Sequence, residues 1–257
     1  MIELKSTAEI DQIAQGGEII GVLFSEIAAR VVPGVSTAQL DQFAEEFIRS
    51  HSGATPAFKG LYGFPASLCT SINEEVVHGI PSDRRVLKVG DILSVDVGVK
   101  RDGWYSDSAR TFPVGEIDGE RKLLLAATRT ALDRAIEAAV PGNRVGDIGH
   151  AIEMSLVGSG LCIIRDLVGH GVGRSLHEDP QVPNLGEPGT GAELKEGMVL
   201  AIEPMIAVGT HKIRTLSDRW TVVTSDGSAS AHFEHTVAVT RDGPRILTAE
   251  RAVVETK

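Results

Sequence analysis

The sequence predicts a mixed α/β (α+β) protein built as two related halves around antiparallel strands, and three observations carry that expectation. Amphipathic helix patterns come in pairs, each followed by strand patterns; one motif recurs at a fixed displacement; and GDILSVDVGVKRDGWYSDSARTF reads as a long hairpin. The recurrence lies between VVPGVSTAQLDQF and AVPGNRVGDIGHA, where Pro33-Gly34 returns as Pro141-Gly142 and Leu40 as Ile148, both 108 residues on. Nearly the same displacement, 107 residues, carries Asp96 onto Glu203 in the apolar run that begins at Met198. A single duplicated domain over 1–257, with halves of about 1–115 and 116–257, is the organisation expected. A pseudo-twofold between such halves would bring their acids to one seam.

Taken in order, Ser6 or Thr7 can cap a helix whose Ile10, Ile13, Ile20, Leu23 and Ile27 fall at helical spacing, closing before Pro33-Gly34. A second helix follows Ser36-Thr37 and buries Leu40, Phe43, Phe47 and Ile48. The stretch ATPAFKGLYGFPAS is rich in Gly, Pro and aromatics; long irregular loops of this kind shape pockets, although an ordinary connection has the same composition. A strand is expected over 68–73. After the hairpin, 120–140 reads as a helix and Val145, Ile148, Ile152 and Leu156 mark another. From about Leu161 to Thr248 the chain looks like strands separated by Gly and Pro turns.

The hairpin carries the first chemistry. Asp102-Gly103 suits the positive φ angles of a type I′ turn, and with that turn Asp96 faces Ala109 while Asp107 faces Gly98. Both carboxylates then share one strand face as diagonal neighbours, about 7–8 Å apart at the backbone. Like charges on a half-buried surface repel unless a cation lies between them. A solvated face with two surface acids is the alternative from this stretch alone.

Two further stretches supply what such a seam needs. Val168-Gly169-His170-Gly171 places a histidine between glycines, where bare backbone admits close neighbours, and HFEHTV places Glu234 on a strand face with Thr236 and Ala238. Singly, these are a core histidine or a half-exposed acid as readily as ligands. Jointly, Asp96, Asp107, His170, Glu203 and Glu234 make a set of one nitrogen and several carboxylates, which suits a pair of divalent ions bridged by carboxylates. Mn, Fe, Co and Zn all fit an oxygen-rich site. Two ions about 3.5–4 Å apart polarise a carbonyl and bring the pKa of a shared water from about 15.7 toward 7, so hydrolysis is the implied chemistry.

Composition narrows the classes. With 25 Lys and Arg against 35 Asp and Glu, the net charge of −10 argues against a nucleic-acid binder or an anionic-membrane binder. The two cysteines, Cys69 and Cys162, form no CxxC pair, so neither a disulfide framework nor a zinc finger is encoded. The charged, helix-like beginning and the lack of any run of about eighteen apolar residues fit a cytoplasmic protein.

The stretches SINEEVVHGIP, DILSVDVGV, DGWYSDSARTF, LVGHGVGRSLHEDPQVPN, GMVLAIEP and HFEHTVAVT, in this order and spacing, resemble the type I methionine aminopeptidases. The resemblance implies a pita-bread fold, two pseudo-twofold-related halves around a curved antiparallel sheet, with a dinuclear metal centre between them. On that match Asp96 chelates one ion, Asp107 and Glu234 bridge both, and His170 and Glu203 complete the other. Glu203 also shuttles the proton to the leaving amine, His78 hydrogen-bonds near the scissile amide, and His177 steadies the oxyanion. Phe64, Cys69, Leu176 and Trp220 line the methionine pocket, with Phe58 and Leu61 nearby. The chain departs from the family's common pattern at three of these positions: Leu61 and Leu176 stand where aromatics are frequent and Phe58 where a small residue is. The resemblance further implies a monovalent cation near Asn73, Ser230 and the backbone at Glu75. It makes the substrate the N-terminus of a peptide or nascent protein with a small second residue. A monomer with at most transient ribosome contact is expected. Prolidases share this ligand set but carry a large additional N-terminal domain, and a non-catalytic module of the same fold would have lost ligands that this chain keeps.

Overall fold

Ser6 opens the first helix by a reciprocal cap: its hydroxyl accepts from Glu9 N–H at 3.4 Å, and the Glu9 carboxylate accepts from Ser6 N–H at 2.9 Å. Helix α1 (Thr7–Ala28) follows, then α2 (Thr37–Arg49), where Ser36 and Gln39 repeat the arrangement. Helix α3 (Gly119–Glu137) is capped by Asp118, and α4 is Val145–Ser155. Three of these agree with the sequence pattern to within a residue or two. Helix α3 stops short of the expected Val140, which stands before Pro141 and is steered out of the helical region by the proline ring. In α2 only Leu40 and Ile48 of the expected face are fully buried. Phe43 is half-buried instead, with the Arg30 guanidinium 3.8 Å over its ring.

The chain is represented by a computed structural model that describes residues 2–249, so Met1 and 250–257 of the domain expected over 1–257 lie outside the described residues. The hairpin strands are Ile92–Arg101 and Trp104–Pro113, with Asp102 and Gly103 at φ 49° and 86°, and the pairing sets Asp96 against Ala109 and Gly98 against Asp107. The expected register is therefore the observed one. Ala54–Pro56 and Leu68–Ile72 pair with the same central strand, completing a four-stranded antiparallel sheet. Leu93, Val95, Val97 and Val99 turn one face of that sheet toward α1 and α2. Asp96 and Asp107 are left on the other face, where they line a cavity.

A five-stranded antiparallel sheet, ordered Gly243–Ile246, His235–Thr240, Val199–Ile202, Val168–Gly171 and Glu178–Pro183, occupies the second half. Leu200, Ile202, Val237 and Val239 pack there against Leu124, Leu132, Ile148 and Ile152 of α3 and α4. Each such fully enclosed aliphatic side chain contributes about 1.5–3 kcal/mol. The sheets meet where the strand Trp104–Pro113 runs beside 232–236. Glu234 N–H donates to Ala109 O at 2.8 Å, and the Thr236 hydroxyl accepts from Asp107 N–H at 3.0 Å while donating to Asp107 O at 2.7 Å. The Thr111 hydroxyl treats His232 N–H and O in the same way, both at 2.9 Å. Hydroxyls thus satisfy buried backbone groups that no ladder partner reaches.

Glycine is required where strands crowd this seam. A Cβ on Gly169 would stand 2.3 Å from Ala201 O, a backbone atom that cannot swing aside. Gly169→Ala is therefore expected to lose about 1–3 kcal/mol of stability. A urea melt of the variant will read this as a lowered midpoint, and an unchanged midpoint would refute the close approach.

Candidate metal centre and substrate pocket

Each site side chain is set by its own stretch of chain. Asp96 and Asp107 come from the hairpin as alternation requires. His170 follows Gly169, and Gly171 after it has no room for a side chain, since a Cβ would meet Asp179 O at 2.2 Å. Glu203 and Glu234 depart from expectation in one respect: neither lies within a strand. Val199–Ile202 ends before Glu203-Pro204 and the chain resumes as Met205–Ala207, while Ser230–His232 ends before Phe233-Glu234 and resumes as His235–Thr240. Pro204 has no N–H to continue a ladder, which explains the first break. Pairs Ile202↔His235 and Met205↔His232 hold one register across both breaks, so the two acids fall opposite each other.

The five expected residues converge on the floor of one cavity of about 790 Å³. Ligand atoms of Asp107, His170 and Glu234 lie within 4.8 Å of one another. His170 Nε2 stands 3.8 Å from Asp107 Oδ2 and 3.7 Å from Glu203 Oε1. Its Nδ1 lies 2.9 Å from Gly171 O, a pure acceptor, so Nδ1 carries the proton and Nε2 turns a lone pair toward the acids. Burial pushes the His170 imidazole down, which keeps it neutral.

The acids respond in the opposite direction. Burial pushes Asp96 and Glu203 up to about 7. Burial, joined by repulsion from neighbouring carboxylates, raises Asp107 and Glu234 well above the ordinary range. Asp96 Oδ1, Asp107 Oδ1 and Glu234 Oε1 are enclosed without a hydrogen-bond partner among the described residues. Orphaned carboxylate oxygens facing an imidazole lone pair fit hard divalent ions, for which oxygen with a borderline nitrogen is a suitable donor set.

Around this floor the expected apolar wall is present: Phe58, Phe64, Cys69 and Leu176 are buried, with Leu61 and Trp220 packed against them and the Phe64 and Trp220 rings edge to face at 5.1 Å. Burial first, and the charges of Asp96 and Asp107 next, push the Cys69 thiol well up, so Cys69 is wall and not nucleophile. His78 is held at φ 59° and burial lowers it to about 4; its ring meets Trp220 edge to face at 6.3 Å. His177 lies 4.4 Å, centroid to centroid, from His170 and is lowered by burial and by His78. Its turn is braced by Glu178, which accepts from Ser175 N–H at 3.0 Å and from buried Lys5 at 2.5 Å. Asn73 and Ser230 are already engaged: Asn73 Nδ2 donates to Asp91 at 2.8 Å, Ser230 Oγ to Ile206 O at 3.0 Å, and Ser230 N–H to Asn73 O at 2.8 Å.

Two residues at the site were not anticipated. Tyr62, exposed in the Gly-rich loop at φ 51°, stacks on His177 with ring centroids 6.1 Å apart. His232 is 2% exposed, with Nε2 3.5 Å from Glu203 Oε2. Its two-residue spacing from Glu234 in HFEHTV was the available signal.

Buried acids and a neutral imidazole beneath an apolar cavity, on sheets joined edge to edge, define a metal-dependent hydrolase. The chain belongs to metallopeptidase family M24, whose model matches residues 11–241. It is 52% identical to a methionine aminopeptidase of Clostridium acetobutylicum over 96% of this chain and 99% of that protein. The crystal structure of a methionine aminopeptidase of Thermotoga maritima, 46% identical, superposes with a TM-score of 0.95 and covers 97% of this chain and 100% of that one. A prolidase of Pyrococcus furiosus, 24% identical, shares the fold with a TM-score of 0.75, covering 97% of this chain and 66% of that one. The pita-bread architecture expected from the motifs is the fold of the chain.

The raised carboxyl groups set a pH dependence for protein stripped of metal. An acid whose folded pKa is raised binds more protons folded than unfolded, so its effect is stabilising at low pH relative to high and is lost as pH climbs through the folded value. Histidines lowered to about 4, His78 and His235, act oppositely, but only below their ordinary value of 6.5. Above pH 6.5 the histidines no longer oppose the acids while Asp96 and Glu203, raised to about 7, are still titrating, so chelator-treated protein should melt at progressively lower temperature from about pH 6.5 to about 7.5. Divalent metal should abolish that decline. Calorimetry showing a flat profile without metal would contradict the enclosed-acid geometry.

Proposed function

We propose that this chain hydrolyses the first peptide bond of peptides and nascent proteins that begin with methionine and a small second residue, using two divalent metal ions. The convergence of four enclosed acids and one neutral histidine below an apolar cavity carries the reading. Asp96 would hold one ion, Asp107 and Glu234 would be shared, and His170 and Glu203 would complete the other. Such ions, when bound, supply Lewis acidity for the scissile carbonyl and make water nucleophilic at neutral pH.

The remaining work falls to the protein. The pocket of Phe58, Leu61, Phe64, Cys69, Leu176 and Trp220 receives the thioether side chain, for which a soft apolar lining suffices. His177, neutral and braced through Glu178, presents an N–H to the carbonyl oxygen as negative charge develops there. His78, neutral and fixed by its turn, hydrogen-bonds beside the scissile amide. Glu203 would take up the proton released by water and hand it to the leaving amine, a role that rests on the resemblance to the methionine aminopeptidases.

The same reading treats 1–115 and 116–257 as duplicated halves. Gly34 N–H donates to Leu87 O at 2.9 Å and Gly142 N–H to Leu194 O at 3.0 Å, each just before the second helix of its pair, which supports it. It takes the enzyme as a cytoplasmic monomer whose acidic surface permits no more than transient ribosome contact. Among the described residues no helix is long and apolar enough to cross a membrane.

A peptide panel with added divalent metal tests the reaction. Met-Ala-Ser should be cleaved to free methionine, while formyl-Met-Ala-Ser and an X-Pro dipeptide should not; turnover of X-Pro alone would replace this reading with a prolidase. His177→Ala should lower kcat by about 10²–10³-fold, the usual loss for one oxyanion donor, with metal content intact. A variant deficient only in metal would remove His177 from that role.

A further inference from the structure

The side chain of His232 enters no step above, yet it is 2% exposed and its Nε2 is enclosed without a hydrogen-bond partner among the described residues. A buried imidazole nitrogen left without a partner is unfavourable in the folded chain. Its backbone is clamped, since the Thr111 hydroxyl accepts from His232 N–H and donates to His232 O, each at 2.9 Å. The Ser94 hydroxyl lies 2.8 Å from that of Thr111, tying the clamp to the hairpin. So fixed, His232 aims Nε2 at Glu203 Oε2, 3.5 Å away and a few tenths of an ångström beyond a formed bond.

Glu203 therefore stands between two histidines, one on each oxygen: His170 Nε2 at 3.7 Å from Oε1 and His232 Nε2 at 3.5 Å from Oε2. The two nitrogens are not equivalent. His170 has its proton on Nδ1, committed to Gly171 O, and offers Oε1 no hydrogen bond. A carboxylate oxygen accepts only, so the favourable partner for Oε2 is an N–H. An imidazole always has at least one N–H to place, and the enclosed Nε2 that faces Oε2 is where it finds an acceptor. His232 also lies outside the trio Asp107, His170 and Glu234 whose ligand atoms come within 4.8 Å of one another.

We propose that His232 is a positioning residue: its Nε2–H donates to Glu203 Oε2 in the metal-loaded enzyme and so directs Oε1 toward the metal shared with His170. This rests on the reading of Glu203 as a ligand. It makes the metal's environment depend on a residue that does not touch it, as ligating carboxylates held by outer hydrogen bonds generally do.

Three proteins decide the matter: wild type, His232→Gln, which keeps an N–H donor at similar reach, and His232→Leu, which keeps bulk without one. Each is stripped of metal, checked for folding by circular dichroism, and titrated with Co²⁺ by calorimetry and visible absorption. His232→Leu should bind Co²⁺ about 10–100-fold more weakly with altered d–d bands, and His232→Gln should restore both affinity and spectrum. Equal affinity and spectrum in wild type and His232→Leu would overturn the positioning role. A His232→Gln spectrum displaced as far as that of His232→Leu would also overturn it, by making His232 a ligand itself. If His232→Leu does not fold, His232→Met takes its place. Wild type that takes up no Co²⁺ would instead overturn the underlying metal reading, so the two failures are distinct.

Discussion

Enclosed carboxylates repelling one another at the junction of two sheets are the constraint on which the rest of this molecule depends. Asp107 and Glu234 are buried to 4% and 2% exposure, and Asp96 and Glu203 belong to the same cavity floor. Such a group is unfavourable in a folded chain unless protons or cations neutralise it. What surrounds it holds the acids in place despite that cost. The packed helices anchor the far faces of both sheets, and hydroxyls of Thr236 and Thr111 each grip both backbone atoms of a residue across the seam.

That grip is reciprocal. Thr111, from the hairpin, clamps His232, and Thr236, from the strand His235–Thr240, clamps Asp107 of the hairpin. Between them Glu234 N–H meets Ala109 O, so the two segments run side by side in constant register. The cavity floor draws on both sides of that seam: Asp96 and Asp107 come from the hairpin, and His170, Glu203 and Glu234 from the later strands and the breaks between them. The apolar wall above is assembled in the same way, with Phe64 and Cys69 in one cluster with Leu176 and Trp220.

Much of this was legible in the order of residues. The turn dipeptide Asp102-Gly103 admits few loop geometries, and a two-residue loop fixes every pair of the hairpin, which is why the placement of Asp96 and Asp107 could be read in advance. The glycines around His170 announced close backbone approach for the same reason: little else explains them in a strand. Less legible were the strand breaks at Glu203 and Glu234, because an apolar run looks continuous until its partners are known, although Pro204 hinted at one. His232 carries only a faint signal in the sequence, its two-residue spacing from Glu234, and the three-dimensional neighbourhood adds that its Nε2 has no hydrogen-bond partner among the described residues. Phe43 shows the remaining limit, for a side chain with helical spacing can be covered by an arginine as well as by the core.

The paired interruptions at Glu203-Pro204 and Phe233-Glu234 bear on how this family of sequences can vary. Two adjoining strands step from one sheet to the next at the same level, with Ile202↔His235 before the step and Met205↔His232 after it. Adding or deleting one residue in either strand would rotate every later side chain to the opposite surface. The ribbon should therefore accept many substitutions while resisting any change of length, and insertions should collect in the outer loops, away from this corner.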